Sequence, residues 1–95
     1  MADITPEEIA FTARAKAHID ICNEQSATAH AEDVALSALY AAARYGAYLC
    51  INGNGSGEQM AARRAEATLM FEEQFRQMFH DCYDEFASNF DAQKG

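Results

Sequence analysis

Apolar residues recur every three or four positions along most of the chain, which is the period of helix faces and not of strands. The first such stretch opens with Thr5-Pro6-Glu7-Glu8. A threonine N-cap, a proline at the first helical position where its missing N–H costs nothing, and a glutamate closing a capping box predict a helix over about residues 6–27. Its stripe is Phe11, Ala15, His18/Ile19 and Cys22, with Arg14, Lys16, Asp20 and Glu24 mostly on other faces. A second helix is expected over about residues 31–51, where Glu32 and Asp33 suit the positive end of the helix dipole. Val34, Ala38, Ala41/Ala42, Tyr45 and Leu49 form one of its faces, and Leu36, Tyr40, Ala43 and Ala47 another. A helix so apolar all round needs several neighbours to cover it.

Asn52-Gly53-Asn54-Gly55-Ser56-Gly57 is the one clear breaker, because glycine and asparagine tolerate positive φ and cluster in turns. No strand precedes it and no Gly-Lys-Ser/Thr follows, so it reads as a helix–helix connection and not as a phosphate-binding loop. Ser56 and Gln59 have the spacing of a second capping box. A third helix is expected over about residues 57–90, a length of about 50 Å. Met60, Ala67, Phe71, Phe75, Met78/Phe79, Cys82, Phe86 and Phe90 keep a heptad-like spacing along it. Asp81, Asp84, Glu85 and Asp91 disfavour its C-terminal end, where fraying or a break is expected.

Three helices joined by short turns predict an all-α single domain over residues 1–95, an antiparallel three-helix bundle with a long C-terminal helix. Counting residues outward from the turns near Thr28 and Asn54 sets Arg44 beside Glu66 and the start of the second helix beside Met78. Beyond about His80 the third helix outruns the hairpin. Left in water, Cys82, Tyr83, Phe86 and Phe90 would forfeit about 1.5–3 kcal/mol for each large side chain. A second copy covering this overhang in a two-fold dimer is preferred to a chain that folds back. The expected interface is Phe75, Phe79, Cys82, Tyr83, Phe86 and Phe90.

Composition supports helix: 20 of the 95 residues are alanine, one is valine, and tryptophan is absent. Such a short chain buries a small share of its surface alone, which also favours a partner. Fifteen acidic residues against seven basic give a net charge of -8, so direct phosphate-backbone binding is not expected. Three cysteines, at 22, 50 and 82, form no C-x-x-C pair, so neither a disulfide framework nor a zinc knuckle is indicated, and a reducing cytoplasmic setting is expected. Met1-Ala2-Asp3 is acidic and no charged leader precedes an apolar stretch, so no secretory signal is expected. Residues 34–51 are long enough to span a bilayer, but Arg44 at their middle and the many alanines argue for a buried helix and no membrane.

Candidate chemistry is sparse. His18 and Cys22 stand one turn apart, but a metal site needs three or four convergent ligands, and a core histidine and thiol is the simpler reading. His80, Asp81, Asp84 and Glu85 lack the Glu-x-x-His of bundle di-iron sites and read as a solvated acidic face. Arg44, inside Tyr40-Ala41-Ala42-Ala43-Arg44-Tyr45, needs a carboxylate or a tyrosine face. Tyr40, Arg44, Tyr48 and Glu66 are therefore the candidate ligand site or register-fixing pair. No catalytic, cofactor or metal residues are assigned.

The chain also resembles a short, mostly proteobacterial family of unknown function with a central Tyr-Ala-Ala-Ala-Arg helix. The likeness covers nearly everything after Ala15: Ile19-Asp20-Ile21-Cys22-Asn23, Leu39-Tyr40-Ala41-Ala42-Ala43-Arg44-Tyr45 with Ala47, Arg64-Ala65-Glu66-Ala67, Glu73-Gln74-Phe75 with Met78, and Asp84 with Asn89-Phe90. It departs from that pattern at His18, where the family has an aromatic, at Cys22, where it has alanine, and at Gly46, where it has asparagine. The resemblance implies a bacterial cytosolic helical protein and brings no activity or catalytic residues. The function expected is a non-enzymatic protein-interaction or regulatory module, acting as a homodimer with an unidentified protein partner. A ligand- or metal-binding bundle and an acidic nucleic-acid mimic that blocks a basic cleft are the alternatives.

Overall fold

The computed structural model describes residues 3–94. Met1, Ala2 and Gly95, which the single-domain reading includes, lie outside them. Every regular element among the described residues is helical: α1 (Pro6–Gln25), α2 (Ala31–Leu49), a 3₁₀ turn (Cys50–Gly53), α3 (Gly57–Ala62), α4 (Arg64–Ser88) and α5 (Phe90–Lys94). The expected third helix is thus three helices, interrupted at Arg63 and Asn89. Its two breaks have local causes. Arg63 leaves the helical region at φ -97°, ψ 10°, and its guanidinium Nη1 turns back 3.1 Å to the carbonyl oxygen of Gly53. At the other break the Asn89 side chain donates from Nδ2 to the carbonyl oxygen of Glu85, 2.9 Å away, competing with the helix for its own acceptor.

The chain divides into two units, residues 1–48 and 49–95. In the first, α1 begins as its cap requires. The Thr5 hydroxyl accepts from the Glu8 N–H at 3.1 Å, and the Glu8 carboxylate accepts from the Thr5 N–H at 2.9 Å. Replacing Thr5 with alanine should cost about 1 kcal/mol of local helix stability. Amide exchange over the first turn of α1 checks this, the expected result being a rate about fivefold faster. The helix ends at Ser26, whose hydroxyl donates to the Cys22 carbonyl oxygen at 2.9 Å. Along α1, Lys16 and Asp20 form an exposed pair at 2.8 Å, a contact of small energy.

Packing within this unit is thin. Helices α1 and α2 make little contact with each other. Ala15, Cys22 and Val34 withdraw from solvent, and all three sit on the predicted stripes, but Phe11, Ile19, Tyr40 and Tyr45 stay exposed. Val34, at 5% exposure, is the only buried hydrophobic side chain among the described residues. Their stripes are present while their mutual burial is not.

In the second unit the connection from Cys50 to Arg63 is tied by hydrogen bonds. Asn54 Nδ2 donates to the Cys50 carbonyl oxygen at 2.7 Å, and Ser56 Oγ accepts from the Gln59 N–H at 3.1 Å. Only half of the expected second capping box forms, because the Gln59 side chain reaches the N–H of Gly55 and not that of Ser56. The glycines also do not supply left-handed backbone: no described residue, glycine or otherwise, has positive φ. Hydrogen bonding by Asn54, Ser56, Gln59 and Arg63 shapes the connection instead.

Candidate interaction surface

Helix α4 carries the most developed surface. Residues four apart advance about 40° round a helix, so Phe71, Phe75, Phe79 and Tyr83 climb one side as a ladder. Phe75 and Phe79 stack with centroids 5.7 Å apart, and Phe79 and Tyr83 follow at 5.8 Å, tilted. These spacings suit favourable aromatic pairs. Phe71 is 41% exposed and Tyr83 63%, with Phe75, Met78, Phe79, Phe86 and Phe90 between them. Cys82, on the same side, is exposed and carries a free thiol.

Glu66, one member of the expected Arg44–Glu66 pair, meets Arg63 at 3.6 Å within the second unit, because three residues along the chain suffice to bring their side chains together. Arg44, Tyr40 and Tyr48 keep their four-residue spacing on α2, where the two tyrosines are exposed, and Arg44 has no ion pair among the described residues of its own unit. The arginine that the residues singled out was Arg44, and the one that builds structure is Arg63. Besides Glu66 it holds the Gly53 carbonyl oxygen and, at 3.4 Å, Asn54 Oδ1. The signal that could have found it is an arginine two helical turns past a capping serine, within reach of a Gly-Asn loop whose carbonyls need donors.

A shallow depression of about 280 Å³ lies over this loop, lined by Ile51, Asn54, Gly55, Ser56, Gly57 and Met60. It offers no titratable group. No group of three or more His, Cys, Asp or Glu side chains converges among the described residues to hold a metal ion. Residues 31–53 form one helical stretch long and apolar enough to cross a membrane, by length and composition only.

Fold and surface together define a small all-helical protein whose largest feature is an exposed aromatic face. Residues 11–87 match the family described as a protein of unknown function, DUF3144, and the chain belongs to that family. The matched span takes in the α4 ladder through Phe86 and stops before Asn89 and Phe90. Neither a curated protein nor a solved structure matches the chain.

Proposed function

We propose that the protein is a non-enzymatic interaction module that works as a homodimer through the apolar face of α4. The observation that carries this is the stacked Phe75–Phe79–Tyr83 ladder standing half in water. Soluble monomers rarely leave a contiguous apolar patch of this extent uncovered. With about half of six large α4 side chains exposed, the face offers about 600 Å² per copy, about three quarters of the roughly 800 Å² per partner of a standard interface. In this reading α1, α2 and the α3–α4 segment assemble as an antiparallel three-helix bundle that dimerisation completes, and the cysteines stay reduced in a bacterial cytoplasm.

The test is the absolute mass in solution by light scattering over a dilution series. A mass near twice 10.5 kDa that falls on dilution is expected. A mass of 10.5 kDa at every concentration would overturn the proposal.

A further inference from the structure

We infer that the two copies pair through α4 in antiparallel orientation, centred on Gln74. This rests on the dimer reading above and adds the direction and register of the contact. Charge distribution along α4 is the first observation. Arg63 at the N-cap and Arg64 stand at its N-terminal end, beside Glu66 of the first turn, and Asp84 and Glu85 near its C-terminal end, whose last turn holds no basic residue. The C-terminal acids oppose the helix's own dipole, and at the other end the two arginines outnumber the single glutamate, Glu66, that Arg63 meets. The two ends cannot relieve each other within one copy, since Arg63 and Glu85 are 22 residues apart, about 33 Å along the axis. A second α4 running the other way brings the basic end of one copy to the acidic end of its partner and sets the two dipoles head to tail. Parallel pairing would instead place acid on acid.

The register follows from the stripe. In an antiparallel pair centred on Gln74, residue i lies level with residue 148 − i of the partner. Phe71 then falls level with the gap between Phe75 and Phe79, Phe75 with that between Phe71 and Phe75, and Cys82 with that between Arg64 and Ala67. Each apolar row thus enters the spaces of the other. The same centre puts Arg63 level with Glu85 on one flank of the stripe and Arg76 level with Glu72 on the other. In antiparallel helix pairs like flank meets like flank, so both contacts are opposite charges at matched heights.

The experiment is a charge-reversal cycle with light scattering and circular dichroism, run in a Cys22→Ser, Cys50→Ser background. Glu85→Arg should weaken dimerisation about tenfold, because a two-fold dimer carries the contact twice and attraction becomes repulsion. Its helix content should hold or rise, because a basic residue in the last turn suits the dipole. Adding Arg63→Glu should restore most of the affinity, despite the loop bonds that Arg63 gives up. Copper-phenanthroline oxidation supplies an independent readout of direction. In the antiparallel register the two Cys82 positions lie about 24 Å apart along the axis, too far for a disulfide, so no covalent dimer is expected. A dimer that forms the Cys82 disulfide readily, or in which Arg63→Glu fails to rescue Glu85→Arg, would overturn the antiparallel register and leave dimerisation standing. A monomer at all concentrations would overturn both.

Discussion

Phe79→Asp is expected to hold the protein at 10.5 kDa at concentrations where the wild type is near twice that mass. Phe79 is the middle rung of the ladder, touching both Phe75 and Tyr83, so it lies well inside the proposed interface and not on its rim. Covering one such side chain contributes about 1.5–3 kcal/mol, and a two-fold dimer covers two of them. Aspartate forfeits that gain and adds the cost of bringing two carboxylates into an apolar seam. A loss of about 4 kcal/mol or more follows, roughly a thousandfold in dimer affinity. Phe79→Leu keeps most of the apolar surface and should stay dimeric. Light scattering on both variants, with circular dichroism to show that α4 remains helical, decides the matter. An aspartate variant that dimerises as the wild type does would remove α4 from the interface.

What was legible in the chain was what is decided locally. Thr5, Pro6 and Glu8 fix the start of α1 with contacts spanning three residues, and the bonds found there are the ones those residues predict. The spacing that places Phe75, Phe79 and Tyr83 on one side is likewise a property of a single helix. The acids near the C-terminal end pointed to a break there, but its place at Asn89 and the whole break at Arg63 were missed because neither residue is a helix breaker by type. Each ends its helix by what its side chain reaches, a carbonyl ten residues back for Arg63 and one four residues back for Asn89. The Arg63–Glu66 pair went unread for a related reason. A height count looks only between helices, whereas Glu66 meets an arginine three residues before it in the chain. The candidate surface was therefore readable as a pattern of residues, and the loop that organises the start of α4 was not.

Unfolding is expected to depend strongly on protein concentration. Val34 is the one hydrophobic side chain buried among the described residues, while the aromatic face of α4 and Leu36, Leu39, Tyr40 and Tyr45 of α2 stay exposed. Most of the stability of a protein helix comes from covering its apolar face, even in helices of 20 and 25 residues such as α1 and α4. If the second copy supplies that cover, folding and association are one equilibrium, and the unfolded state is favoured by dilution. Each tenfold rise in concentration then adds about 1.4 kcal/mol to apparent stability, so urea denaturation at 1 and 100 µM should differ by about 2.7 kcal/mol. At a urea slope typical of a chain this short, about 1–2 kcal/mol/M, the midpoint moves by roughly 1–3 M. Phe79→Asp should lose this dependence and unfold at a low midpoint at every concentration. Coincident wild-type midpoints across the hundredfold range would mean that each chain covers its own helices, and the exposed ladder would then be closed from within.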